Sequence, residues 1–328
     1  MATEQALVRA PRVRVSLPSR TAWWKQLYLP TIGVGAVAVW LSHEGWEALA
    51  PWGPLHRIRS AEFQLAGPVV LGFVLTVFLI ERRWPAQPRP ASARGHRVDA
   101  MYFCVHALVG VPIMVLAGTG FSTLLAAHAS WLVLPTLPAV PRALFVVLAI
   151  IGIDAFNWIA HYGSHRLTAI WRLHAVHHSQ EELSILSTFR TSPLVHVGFI
   201  ITAIPVLVLA GNNATPPELL TAFACFGALP HANTRWSYGP LGRWIISPTY
   251  HRVHHRTTGR LDINLGTIFT FWDRIAGRAI FPDLDQPVPP TGLAGRPIPV
   301  EQAEDRPRYL RLLSRQLFQP FVREGVIS

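Results

Sequence analysis

Long apolar runs constrain this chain more than any other feature. They cover residues 27–41, 63–80, 101–125 and 143–160, and the second holds no charged residue. Runs of about 17–25 apolar residues cross a bilayer as helices. In lipid, a spanning segment satisfies its backbone only as a helix or in a closed barrel. A shorter pair, 194–210 and 219–229, is split by Gly211, Asn212, Asn213 and the Pro216-Pro217 step, which fits a hairpin that re-enters the membrane. Half of the 328 residues are hydrophobic and only 14% are charged, with a mean hydropathy of +0.30. That excludes intrinsic disorder. Two cysteines, Cys104 and Cys225, exclude a disulfide scaffold. The expected class is all-α: a multi-pass transmembrane helical protein.

The net charge is +11, and Lys25 is the single lysine. The arginines flank the apolar runs rather than lining one polar face. They read as topology signals and lipid-headgroup partners, with no nucleic-acid partner implied. Segments 1–26, 81–98, 166–190 and 235 onward are basic, whereas loops 42–62 and 126–142 carry few positive charges. An even number of crossings puts every basic segment, and both termini, on the cytoplasmic side. No compact apolar core with an A-x-A-like site marks a cleaved leader. The preference for arginine points to a bacterial inner membrane. The expected division is a basic cytoplasmic tail (1–26), N-terminal transmembrane helices with a Pro/Arg-rich connector (27–142, the connector at 86–98 having no reason to fold), a histidine-rich unit (143–280) and a cytoplasmic C-terminal tail (281–328).

Nine of the fifteen histidines fall in a repeated pattern. His161 and His165 are four apart; His174, His177 and His178 form H-x-x-H-H; His231 stands alone; His251, His254 and His255 form a second H-x-x-H-H. Positions i, i+3 and i+4 share a helix face, so each group can offer its imidazoles to a common centre. Neutral imidazole suits zinc, copper, iron and nickel. Eight or nine ligands are too many for one ion, so two ions are the natural reading. His43, His56, His96, His106 and His128 read as packing or interfacial residues, and His196 as structural. No C-x-x-C, G-x-G-x-x-G or P-loop occurs, which excludes nucleotide binding by those routes and cysteine-held iron–sulfur or zinc sites.

This pattern resembles the fatty acid hydroxylase/sterol desaturase superfamily of integral-membrane di-iron enzymes. Asp154, Trp158, His161, His165 and Arg166 resemble its first box. His177-His178-Ser179-Gln180-Glu181-Glu182, followed by Phe189-Arg190, resembles the stretch after its second. His231-Ala-Asn233 resembles its isolated histidine, and Asn264-Leu265-Gly266 with Phe271-Trp272-Asp273-Arg274 its ending. The resemblance covers about 143–280. One departure is Ser192, before Pro193, where the family often has a histidine; either His196 compensates or that site is dispensable.

The resemblance implies a catalytic domain in a cytoplasmic cap holding two Fe ions, with His161, His165, His174, His177, His178, His231, His251, His254 and His255 as ligands and O2 as co-substrate. The implied reaction is hydroxylation or desaturation of a C–H bond in a lipid, whether sterol, fatty acyl or related. Asp154, Asn233, Asn264 and Asp273 are expected to orient ligands from behind, Asp154 acting on a histidine of another segment. With no nucleotide or iron–sulfur motif in the chain, electrons would come from a cytochrome b5-, ferredoxin- or rubredoxin-like donor. The competing reading is a non-catalytic multi-pass metal- or lipid-binding or transport protein, which predicts ligands near the bilayer midplane.

Overall fold

The computed structural model describes residues 53–89, 95–132, 141–198, 217–295, 298–301 and 309–321. The first apolar run, the 1–26 tail and most of the 194–210 run lie outside them. Ten α-helices follow in chain order among the described residues: α1 (Gly53–Ala66), α2 (Pro68–Arg83), α3 (His96–Val105), α4 (Val111–His128), α5 (Arg142–Arg166), α6 (Thr168–His178), α7 (Pro217–Ala228), α8 (Pro248–His254), α9 (Phe271–Ile275) and α10 (Tyr309–Phe318). The described residues form no strand beyond two isolated bridges, Ile245 with Phe269 and Arg256 with Thr291. The all-α expectation holds.

Among the described residues, three helical stretches are long and apolar enough to cross a membrane: His56–Arg83, His96–His128 and Leu144–Arg166. They match the runs predicted at 63–80, 101–125 and 143–160. Each is a helix because a continuous apolar run leaves its backbone no partner in lipid but itself. Two are interrupted. The first bends at Gly67, where a Cβ would sit 2.1 Å from the Phe63 carbonyl oxygen, and restarts at Pro68. The second passes through a π-turn, His106–Gly110, before Pro112. The third, α5, is more lipid-exposed: Leu144, Val147, Leu148 and Ile159 face outward.

α5 runs beyond its apolar part to Arg166, which carries His161 and His165 past the last long apolar stretch. A short extended step at Leu167 turns the chain into α6, packed against it. The main buried core joins α2 and α3 (Val70, Val74, Phe78, Tyr102, Phe103) to α6, the 3-10 turn Ile185–Phe189, α7 and α10. Membrane helices α2 and α3 therefore share one packed interior with the histidine-bearing α6, whereas Ala149 of α5 packs in a separate small cluster with Val146, Ile150 and Ile153.

The connector departs from expectation. His96–Val98 is the first turn of α3, and its earlier part is pinned. The Ala86 amide donates to the Asn233 carbonyl (2.8 Å), the Gln87 amide to Asn233 Oδ1 (3.1 Å) and Arg89 to the Leu183 carbonyl (2.9 Å). Its partners lie far away in sequence, so local composition carried no sign of them.

Candidate metal centre

The nine patterned histidines converge on one place. They form two adjacent groups: His161, His165, His174, His178 and His254, and His177, His231, His251 and His255, with one nitrogen from each residue of a group lying within 4.8 Å of the others. His178 and His255 stack across the boundary with ring centroids 4.5 Å apart. The sequence reading put each H-x-x-H-H on one centre; the structure splits both. His174 and His178 serve the first group and His177 the second, whereas His251 and His255 serve the second and His254 the first. The reason is helical: at about 100° per residue, positions i+3 and i+4 lie on either side of i. The i, i+4 pair stays together and the i+3 ring leaves for the neighbouring group.

Hydrogen bonds set the tautomers. His161 Nδ1 lies 2.7 Å from the Leu265 carbonyl oxygen, His254 Nδ1 2.8 Å from that of Ile263 and His177 Nδ1 3.2 Å from that of Arg190. A carbonyl only accepts, so each Nδ1 carries the proton and each Nε2 turns a lone pair inward. Burial among other imidazoles holds His174, His177, His178, His251, His254 and His255 well below the ordinary histidine range, in the neutral form a metal needs.

These nitrogens fit metal ions. His174 Nε2 is 3.1 Å from both His161 Nε2 and His178 Nε2. In the second group His231 Nε2 lies 3.0 Å from His177 Nε2 and 3.1 Å from His251 Nε2, which is 3.1 Å from His255 Nε2. A neutral nitrogen that donates cannot also accept, so protons alone cannot pair such strings. His165 Nε2 and His254 Nε2 are buried without a hydrogen-bond partner among the described residues. Ligands about 2.0–2.1 Å from one ion and at right angles lie about 3.0 Å apart, the spacing seen. One cation per group would engage every inward lone pair at once.

Residues 146–278 match the fatty acid hydroxylase family, and all nine histidines fall inside that segment. This segment, rather less than half of the chain, is a fatty acid hydroxylase segment by its sequence. It is 26% identical to the ornithine lipid hydroxylase OlsE of Rhizobium tropici over 223 residues, 64% of this chain and 65% of that protein. It is 30% identical to the alkylglycerol monooxygenase of Danio rerio over 135 residues, 40% of this chain and 29% of the relative. The human alkylglycerol monooxygenase is 27% identical over a stretch covering 39% of this chain and 29% of the relative. The chain thus spans 65% of the first relative and under a third of the other two. No solved structure matches it.

Within this hydroxylase-family segment, the four polar residues expected behind the ligands hold backbone. Asp154 accepts from the Ile268 and Phe269 amides (2.9 and 3.0 Å) and Trp272 Nε1 (3.0 Å). Asp273 accepts from Trp158 Nε1 (2.8 Å), the Tyr250 hydroxyl (3.0 Å) and the Leu265 and Gly266 amides (2.8 and 3.1 Å). Asn264 sits at φ +53°, which asparagine tolerates, and ties Tyr250 to Ile280 through its amide group. Together they fix the 263–269 loop whose carbonyls receive His254 and His161. Asn233 holds Gln87 and accepts from Arg252 Nη2 at 3.0 Å. The partners described for these four are backbone, indole, phenol and guanidinium groups; the His161, His254 and His177 imidazoles rest on main-chain carbonyls instead.

The remaining described histidines lie outside both groups. His56 and His128 are exposed, and His96 is buried edge-on against Phe78. His106 on the π-turn meets His196, Nδ1 to Nε2 at 2.9 Å, and His196 Nδ1 lies 3.1 Å from the Pro193 carbonyl. His43 lies outside the described residues. The sequence reading missed Glu81, whose carboxylate accepts from the Ile185 and Asn233 amides at 3.0 and 2.8 Å, and Asp99, whose partners are given below. Both are acids within membrane-crossing stretches, and that placement was the available signal.

Proposed function

We propose that this protein is a membrane-bound di-iron lipid hydroxylase. The observation that carries the reading is the convergence of nine imidazoles, in two adjacent groups, at the end of the membrane-crossing helix α5. His161, His165, His174, His178 and His254 would hold one ion, and His177, His231, His251 and His255 the other. When bound, the iron pair would supply the redox chemistry by which a lipid C–H bond, O2, two electrons and two protons become an alcohol and water. The carbonyls of Leu265, Ile263 and Arg190 keep the ligand lone pairs turned inward, so little reorganisation accompanies metal loading. The apolar helices admit a lipid tail from the bilayer and keep water from the reacting carbon. The relatives' names, a lipid hydroxylase and an alkylglycerol monooxygenase, favour hydroxylation over desaturation. The carbonyl-held ligands and the location past the apolar part of α5 speak against a midplane transport site.

The electron donor would be a separate protein. Arg166 and Arg260 are exposed beside Asp262 and offer a basic surface to an acidic donor. Iron-loaded protein in bilayer nanodiscs, given membrane lipid extract, O2 and a ferredoxin with its reductase, should yield lipids heavier by one oxygen, labelled from 18O2. NAD(P)H without donor protein should yield none. Unchanged lipids across several donors, with two irons bound, would refute the hydroxylase reading.

The cytoplasmic placement of the centre makes a separate prediction. Exposed Trp84 follows the first described span and exposed Trp131 follows the second. Cysteines substituted at these two positions should label from opposite membrane faces, with Trp84 facing the cytoplasm. Labelling of both from one face would overturn the topology.

A further inference from the structure

We propose that Asp99 is a positioning residue for the metal centre, acting through Arg190 on the orientation of His177. The inference rests on the di-metal reading above. Asp99 lies on α3, in a membrane-crossing stretch and outside the segment 146–278 that matches the family. Its side chain is fully buried, and so is that of Arg190.

The contacts form a short relay. Asp99 Oδ1 accepts from Arg190 Nε at 2.6 Å. Asp99 Oδ2 accepts from Gln180 Nε2 at 2.7 Å and from Ser187 Oγ at 3.1 Å. Arg190 Nη1 donates to Ser179 Oγ at 3.3 Å, and the guanidinium lies 5.8 Å from the centre of the Tyr102 ring. The Arg190 main-chain carbonyl then accepts from His177 Nδ1. One carboxylate thus gathers the residues just after His178, the 3-10 turn Ile185–Phe189 and Arg190. The segment that sets the His177 tautomer hangs from it.

The arrangement is asymmetric. Leu265 and Ile263, which receive His161 and His254, are held by Asp273 and Asn264 from inside the matched segment. Arg190 is held from a membrane helix. Among the described residues its ion pair is with Asp99, and a buried guanidinium without a carboxylate would move toward water and take its carbonyl along. His177 belongs to the second group alone, so damage at Asp99 should reach that group first.

The test uses the full chain in detergent, loaded with cobalt(II), with metal counted by elemental analysis and coordination read from the visible spectrum. Three variants are compared with wild type: Asp99→Asn, the double variant Asp99→Leu/Arg190→Met, which removes both charges together so that folding is retained, and Val98→Ala, a cavity on the same helix away from the relay. Wild type should hold two ions. Asp99→Asn and the double variant should retain one ion normally and bind the other about 10–100-fold more weakly, with the spectrum of the weakened site altered. Val98→Ala should keep both ions and the wild-type spectrum. If wild type holds two ions and the monodisperse double variant also holds two with an unchanged spectrum, the relay is wrong and the di-metal reading stands. Equal loss from both groups would reduce Asp99 to a general structural role and likewise overturn the proposal. A wild type that binds no metal would remove the di-metal reading itself, and the relay with it.

Discussion

Alanine at His174 or His251 should abolish lipid oxidation and strip the metal from that residue's own group. Each sits inside its group's string of nitrogens, His251 sharing that position with His231. His174 Nε2 lies 3.1 Å from two other ligand nitrogens, and His251 Nε2 lies 3.1 Å from two others in its own group. Loss of a group that only orients a ligand typically costs about 10–100-fold in metal affinity or activity, so loss of the ligand itself should cost at least that. Product formation should fall to background. Iron should drop by about one ion in either variant, with the other group retaining its own. His106→Ala and His196→Ala make a matched control. Both residues are histidines in the membrane region, and they contact each other rather than either group. These two variants should keep full metal. Elemental analysis on monodisperse protein, alongside lipid products in cells, measures all four. If His174→Ala and His251→Ala both kept full metal and full activity, the clusters would be incidental to function.

Much of this arrangement was legible in the sequence, for identifiable reasons. A spanning helix is written in a single unbroken apolar run, because lipid leaves no other solution; 63–80, 101–125 and 143–160 were read that way and are helical. The nine histidines were legible because metal chemistry demands one residue type at helical spacing. Their partition was not. Spacing alone says that His174, His177 and His178 lie near one face, but His177 and His178 diverge by about 100°. Only the position of α8 decides that His177 meets His251 and His255 while His178 meets His254. The groups behind the ligands were illegible for a different reason. They are main-chain carbonyls of Leu265, Ile263 and Arg190, and any residue supplies a carbonyl. The acids that hold those carbonyls, or the loops beside them, carried a faint signal. Asp154 was picked out because it interrupts an apolar run. Asp99 precedes the 101–125 run rather than interrupting it, and stands outside the histidine-rich segment. Glu81 stands just past the end of the 63–80 run, where spacing gives no hint that its carboxylate ties Ile185 to Asn233.

The largest loss of stability is expected at Asp273. Its carboxylate is fully buried and accepts four hydrogen bonds, from Trp158 on α5, Tyr250 on α8 and the Leu265 and Gly266 amides of the loop between α8 and α9. It joins the two helices that carry His161 and His254 to the loop whose carbonyls receive them. Asp273→Ala leaves up to four buried donors without an acceptor, at about 1–3 kcal/mol each, so the cost should be at least about 4 kcal/mol. Asp273→Asn separates charge from geometry. An amide oxygen can still accept from Trp158 and Leu265, whereas its NH2 would face the Gly266 amide, donor against donor; about 1–2 kcal/mol should be lost. At roughly 2–4 °C per kcal/mol for a chain of this size, the alanine variant should unfold about 10 °C or more below wild type. The asparagine variant should lose about 2–8 °C. Tryptophan fluorescence during heating in detergent, at one fixed scan rate, measures both midpoints. The ordering extends to the metal. With the Leu265 amide released, the carbonyl that sets His161 loses its fixed position, so the first group should load less completely in Asp273→Ala even below its unfolding temperature. An alanine variant with a wild-type midpoint and full metal would show that the loop is held by other contacts and that this carboxylate is dispensable.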